Sequence, residues 1–148
     1  MFFGILAFGV AAAFTGAAFY ITFAEQPARL MLDDRAMLVQ WKPAYARGYV
    51  MQASLAMLGF LLGAAAWWTT DDLMWLAGAI ALVANWPYTM LIILPVNNRL
   101  NAVEPDRAGP ESRALIERWG RFHARRTMLG AAASVLFLWA ACQPVGSL

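Results

Sequence analysis

The chain has 148 residues, of which 61% are apolar, and its formal net charge at pH 7 is +2. This composition excludes a separate soluble domain, because nearly every residue is needed for membrane-embedded or membrane-adjacent structure. The small basic excess gives no argument for nucleic-acid binding, since few lysines and no repeat of basic and aromatic residues accompany it.

Four stretches of the chain contain no Asp, Glu, Lys or Arg. They are 24, 23, 26 and 22 residues long, and about 20 apolar residues suffice to cross a hydrocarbon core of about 30 Å. Such continuous apolar runs differ from the alternating pattern of membrane β-barrels. The sequence therefore predicts an all-α polytopic membrane protein, with one domain over residues 1–148 and spans at about 2–24, 48–69, 73–97 and 125–143.

The positive charges predict the orientation of these spans. All eleven Lys and Arg residues lie in two connections, four in 25–47 and seven in 98–126, and none lies between the second and third spans. Because Lys and Arg are retained in the cytoplasm, both connections should be cytoplasmic and both termini outside. We expect an antiparallel bundle of four transmembrane helices in a lipid bilayer, with the bacterial inner (plasma) membrane as its location.

Aromatic residues mark the entry to the second span. Trp41, Tyr45 and Tyr49 precede or begin its apolar run, where aromatic side chains commonly anchor a helix at the membrane surface. We therefore expect these three residues to form an interfacial belt.

The third span contains the polar segment Asn85-Trp86-Pro87-Tyr88-Thr89. Pro87 removes a backbone donor, which predicts a kink in this helix. Asn85, Tyr88 and Thr89 share one helical face, so they should point into the bundle. They form either a hydrogen-bond network between helices or the floor of a polar pocket.

Asparagines gather at the cytoplasmic end of the same span. Asn97, Asn98 and Asn101 could cap the helix and its loop, as asparagine often does. Alternatively, Asn97 and Asn98 belong to the pocket.

The fourth helix should begin at Pro110, because proline suits the first turn of a helix, and it should extend from the cytoplasm into the fourth span. Trp119, His123 and Arg126 follow at i, i+4 and i+7, so they share one face. The neighbouring guanidinium should lower the pKa of the imidazole, leaving His123, just outside the predicted span, neutral and able to act as a general base. The alternative is that both side chains contact lipid head groups.

Glu25 is the first charged residue after the first span and lies on the same predicted side as His123. It could join His123 at a site, or form a structural ion pair with Arg29, Arg47 or Arg126. One His and one Cys do not make a metal site with nearby carboxylates. We predict no metal and no cofactor, and leave open whether a noncovalent cofactor is acquired.

Three motifs at these positions resemble those of the anthrone oxygenase-like family, a group of small four-helix membrane proteins mostly of unassigned function. The resemblance implies four transmembrane helices. In the few members with an assigned role, it also implies oxygenation of a polycyclic anthrone to a quinone without an obvious metal or flavin. The motifs are Glu25-Gln26-Pro27-Ala28-Arg29, then Pro87-Tyr88-Thr89 with Pro95-Val96-Asn97-Asn98-Arg99-Leu100, and finally Trp119 with His123 and Arg126.

Two functions follow from the residues and the resemblance. The first is an oxidoreductase, anthrone oxygenase-like and cofactor-independent, acting on a lipophilic anthrone-, phenol- or quinol-like substrate. The second is a non-enzymatic membrane subunit or small-ligand-binding protein, and either could form a homo-oligomer. The predicted catalytic residues are His123, Arg126, Asn97 and Glu25, and the predicted substrate pocket comprises Trp119, Asn85, Trp86, Tyr88, Thr89 and Asn98.

Overall fold

A computed structural model describes residues 1–143, and every regular element in that range is helical. A short 3₁₀ turn, Pro105–Arg107, lies between the last two long helices. The prediction of an all-α protein is confirmed for this part of the chain. The four long helices are α1 (Phe2–Leu30), α2 (Asp34–Thr70), α3 (Leu73–Ala102) and α4 (Pro110–Cys142).

Three of these helices, α1, α2 and α3, are long and apolar enough to cross a membrane. Large apolar side chains such as Phe23, Leu61 and Leu91 are exposed on their outer faces, which suits contact with lipid. These features indicate a membrane protein. The apolar half of α4 runs towards residues 144–148, which lie outside the described range, so the fourth span and the antiparallel four-span bundle stay predictions.

The helices pack so that α1 and α3 each contact both α2 and α4. A tight turn joins α2 to α3, where Asp71 adopts a left-handed backbone with φ of 59°. Such a conformation is tolerated by aspartate better than by most residues. Asp72 then caps α3, because its carboxylate accepts a hydrogen bond from the Met74 amide at 2.8 Å. The turn therefore places α2 and α3 side by side, in contact with each other.

One core cluster lies towards this turn and consists mainly of small residues. Ala7, Ala11 and Ala18 on α1 are fully buried in it. Gly63 and Gly78 leave room for the Phe137 ring, since a Cβ at either glycine would lie 2.6–2.8 Å from ring carbons. Small side chains thus allow the close helix approach that stabilises packing in lipid.

The second core cluster lies at the other end and includes two tryptophans, Trp41 and Trp119, among larger aliphatic side chains. Trp41 is fully buried, stacks on Tyr45 with ring centroids 4.8 Å apart, and meets Trp119 edge-on at 6.0 Å. The prediction of an interfacial belt is therefore wrong for Trp41. An aromatic residue near a membrane boundary can face lipid or core, and here contacts with α4 hold it inside.

Two of the helices widen into π-helical turns. These segments are Ile21–Glu25 in α1 and Thr89–Ile93 in α3. Each is followed two residues later by a proline, Pro27 or Pro95. Proline cannot donate the usual backbone bond and crowds the preceding turn, so a wider turn accommodates it. A turn at Ala84 also interrupts the regular helix of α3. The predicted kink at Pro87 stays a prediction.

Candidate functional site

A small cavity lies beside the second core cluster, and all four helices contribute to its wall. Its volume is about 20 Å³, enough for a single water molecule. Apolar side chains line part of it, but polar side chains are unusually frequent for a protein interior. The polar and charged residues in the wall are Glu25, Arg29, Tyr45, Tyr49, Gln52, Thr89, Asn97, His123 and Arg126.

His123 is held at this cavity by α1 and by its own helix. Its side chain is buried, and its ring stacks on Trp119 with centroids 4.9 Å apart. The Nδ1 atom lies 3.3 Å from Oγ1 of Thr22. Thr22 in turn donates to the Ala18 carbonyl at 2.9 Å. If the single hydroxyl hydrogen of Thr22 is donated to Ala18, Oγ1 can only accept a hydrogen bond from His123, so the imidazole carries its hydrogen on Nδ1. Nε2 then has no hydrogen and is free to accept a proton.

Several buried polar atoms at the cavity lack a hydrogen-bond partner within residues 1–143. They are Nε of Arg126, both amide atoms of Asn97, Oγ1 of Thr89 and Nε2 of Gln52. Native proteins rarely leave such atoms unpaired, because burying a polar group without a partner costs about 1–3 kcal/mol. The arrangement is suited to water or to a ligand that offers oxygen or nitrogen atoms to these groups.

Glu25 also lines the cavity, but its carboxylate is engaged. Oε1 accepts from Arg29 Nη2 at 2.5 Å and from Gln40 Nε2 at 3.0 Å. Of the three arginines considered as partners, Arg29 forms the ion pair.

Arg29 joins Glu25 to two glutamines in a buried hydrogen-bond network. Its Nη1 donates to Gln26 Oε1 at 2.6 Å, its Nε donates to Gln40, and its guanidinium lies 5.6 Å from the Trp119 ring centroid. The Gln26 amide continues to the Ile116 carbonyl on α4 at 3.0 Å. The network therefore ties the end of α1 to α2 and α4 beside the cavity.

The four predicted catalytic residues, His123, Arg126, Asn97 and Glu25, all line the cavity. Their proximity is an observation, whereas their catalytic roles stay predictions. No group of three or more His, Cys, Asp or Glu side chains lies together within residues 1–143.

Only two of the six predicted substrate-pocket residues line the cavity. Thr89 and Trp119 line the cavity. Asn85 is buried elsewhere in α3, where its Nδ2 donates to the Leu82 carbonyl at 3.0 Å. The Tyr88 hydroxyl donates to the Phe122 carbonyl at 3.3 Å, and this tyrosine does not line the cavity.

The remaining two lie on the outside. Asn98 is exposed at the end of α3 and faces away from the cavity wall. Trp86 borders a separate groove between α2 and α3, with its Nε1 donating to the Ala53 carbonyl at 3.2 Å. The indole is thereby fixed across the two helices.

Sequence reasoning missed the contribution of α2. Tyr45, Tyr49 and Gln52 line the cavity from this helix, and their spacing of i, i+4 and i+7 puts them on one face. Gln52 was the available signal, because an isolated amide inside an uncharged span needs a buried partner. An analysis of charged residues alone does not detect an uncharged residue such as Gln52.

The fold and site together define an all-helical protein, with helices apolar enough to span a membrane, that encloses a small polar cavity. A family model described as anthrone oxygenase matches residues 41–136, which include Asn97, His123 and Arg126. The chain belongs to this family. No curated protein and no solved structure matches it.

Proposed function

We propose that the protein is a membrane-embedded oxygenase that acts on a lipophilic aromatic substrate of the anthrone, phenol or quinol type. Membership of the anthrone oxygenase family supports the reaction class. The observation that carries the proposal is that His123 borders the same cavity as the buried, unpartnered groups of Asn97 and Arg126. A base beside unused hydrogen-bond donors suits the removal of a proton from a group next to an oxygen atom.

In the proposed reaction, Nε2 of His123 takes a proton from the acidic C–H or O–H of the substrate. The negative charge that develops on the substrate oxygen accepts hydrogen bonds from the Asn97 amide and the Arg126 guanidinium. Such donors are more effective in a buried site than in water, because little solvent competes with them. The resulting electron-rich anion then reacts with dioxygen.

For an anthrone, the atoms balance with dioxygen as the only co-reactant. The ring CH₂ group loses both C–H bonds and becomes a carbonyl, which is a four-electron oxidation. One oxygen atom of O₂ forms the new carbonyl, and the other leaves as water with the two hydrogens. No external reductant is required.

The test is turnover of anthrone by the purified protein in proteoliposomes, measured as anthraquinone formation above the protein-free rate. His123→Gln should reduce turnover by about 100-fold or more, the usual scale for loss of a positioned base. Arg126→Lys should also reduce it, because a lysine cannot reproduce the planar guanidinium. Arg121→Gln, an exposed change on the same helix, is the control. Near-normal turnover in His123→Gln would eliminate the base mechanism.

A second candidate is a non-enzymatic membrane subunit or small-ligand-binding protein. The observation that favours it is the size of the cavity, about 20 Å³, whereas pockets for small molecules measure about 300–1,000 Å³. On this proposal the polar residues hold the helices together around bound water. A folded protein without anthrone turnover, in wild type and variants alike, would favour this candidate.

We further propose the bacterial inner membrane as the location, with both termini outside and the connections 25–47 and 98–126 in the cytoplasm. The distribution of all eleven Lys and Arg residues supports this orientation. The cavity would then open towards the cytoplasmic half of the bilayer, with lipid around the helices.

A further inference from the structure

A second concavity lies on the outer face of the helices, between α2 and α3. This groove is shallow and widely open to the outside, and its volume is about 530 Å³. Among residues 1–143, none that lines the groove carries a charged side chain. The α2 residues Val50, Ala53, Ser54, Met57, Leu58 and Leu61 form one side, together with Tyr49, and Trp86 of α3 forms the other.

Of the residues that the structure describes, Tyr49 alone lines both the groove and the cavity. Tyr49 is thus part of the wall of both the apolar groove and the polar cavity. Removing or rotating the Tyr49 ring would join the two spaces into one site, with an apolar outer part and a polar inner end.

The contacts of Tyr49 permit such a movement. Tyr49 is 43% exposed. Its ring meets Tyr45 only in a tilted arrangement at 6.0 Å. Tyr45, by contrast, stacks flat on the buried Trp41 at 4.8 Å. Of the two tyrosines at the cavity, Tyr49 is the more exposed and the less closely stacked.

We infer that the groove binds the flat ring system of a lipophilic aromatic ketone or phenol, and that Tyr49 is the gate through which its oxygen-bearing edge reaches the cavity. This inference rests on the proposed function and adds where the substrate enters and lies. The rings pack against Trp86, while the polar edge meets Asn97 and His123.

The shape and chemistry of the two spaces argue for this occupant. The cavity alone has room for a single water molecule, so an aromatic substrate must lie mainly outside it. Trp86 is fixed by its bond to the Ala53 carbonyl, and a fixed indole is suited to stacking on a planar ring. A lipid acyl chain would fit the apolar groove but would leave the unpartnered groups behind Tyr49 unused.

Binding is tested in nanodiscs of phosphatidylcholine with anthraquinone as the probe, followed by quenching of tryptophan fluorescence. The wild type should show saturable quenching, and Trp86→Phe should lose the saturable part. Trp139→Phe, an exposed tryptophan on α4, is the matched control and should retain it. Absence of saturable quenching in the wild type would overturn the inference and leave the groove to lipid.

A second variant keeps all seven tryptophans. Ala53→Leu fills the groove and should weaken anthraquinone binding by at least about tenfold, because the added side chain occupies the ring site. Ala46→Leu makes the same change at an exposed position on α2 outside the groove and should bind as the wild type does. Equal affinity in both variants would overturn the inference.

The gate is tested by turnover of anthrone. Tyr49→Ala should raise kcat/KM several-fold, because the ring that separates the groove from the cavity is removed. An unchanged kcat/KM in Tyr49→Ala would overturn the gate.

The two proposals fail in different ways. Anthraquinone binding that depends on Ala53 and Trp86, with no anthrone turnover, would contradict the proposed oxygenase activity and support the groove as a binding site. Turnover that depends on His123 but not on Ala53 or Tyr49 would support the oxygenase activity and contradict binding in the groove.

Discussion

Thr22 and His123, 101 residues apart in the chain, meet through Oγ1 and Nδ1 at 3.3 Å. Thr22 lies in the π-helical turn of α1, and His123 lies on α4. The contact fixes one edge of the imidazole against α1, so the opposite edge, with Nε2, is the one available for chemistry. Thr22 is a positioning residue on this view, since it acts through His123.

Thr22→Val should lower kcat for anthrone by about 10- to 100-fold, less than loss of the base itself. The variant keeps the shape of the side chain but removes the oxygen that orients Nδ1. Thr15→Val is the matched control, because Thr15 makes a similar contact from α1 to Ser134 on α4, at 3.0 Å, away from the cavity. Equal turnover in the two variants would contradict the positioning role.

Loss of the Glu25–Arg29 pair should destabilise the protein far more than loss of an exposed pair. The Arg29 side chain is only 2% exposed, so Glu25→Ala leaves a buried charge and should cost about 3 kcal/mol in free energy of unfolding. Arg35→Ala breaks the exposed pair with Asp106 and should cost under about 1 kcal/mol. Denaturant titration in mixed micelles measures both, and similar costs would argue against a structural role for Glu25.

Gly63→Ala should destabilise the small-residue core. The new Cβ would lie 2.8 Å from two carbons of the Phe137 ring, and such overpacking costs about 1–3 kcal/mol. Gly9→Ala is the control, since its Cβ would meet nothing within 4 Å and alanine favours a helix. Thermal unfolding in detergent should show a lower midpoint for Gly63→Ala alone; a lower midpoint for both would point to a general effect of glycine replacement.

The proposed orientation predicts opposite accessibility for two aspartates. In a Cys142→Ala background, Asp71→Cys should react with a membrane-impermeant maleimide from outside, and Asp106→Cys only after the cytoplasmic face is opened. The reason is the retention of Lys and Arg in the cytoplasm. Labelling of both positions from one side would overturn the orientation or the number of spans.

The sequence predicted the features that depend on one helix alone. α4 begins at Pro110, as expected from proline at a first helical turn. Trp119, His123 and Arg126 share a buried face because helical spacing requires it. Such relations need no knowledge of the neighbouring helices.

Relations between helices were harder to predict, because they depend on the rotation and depth of each helix. Trp41 was expected at the membrane surface, yet contact with Trp119 on α4 holds it in the core. Trp86 was expected in the polar pocket, yet it faces the outer groove. The sequence did not indicate that Ala53 lines the groove, because a small apolar residue within a span can face lipid or another helix equally well.

The π-helical turns of α1 and α3 are places where the chain can lose one residue without changing the direction of the side chains that follow. A π turn holds more residues than an α turn, and each residue of an α-helix advances the direction of side chains by about 100°. Deleting one residue from Thr89–Ile93 would let α3 continue as a plain α-helix with Asn97 still directed at the cavity, because the wider turn takes up one extra residue in nearly the same rotation. Deleting a residue from the α-helical part of α3 between Ile93 and Asn97 would instead rotate Asn97 by about 100°.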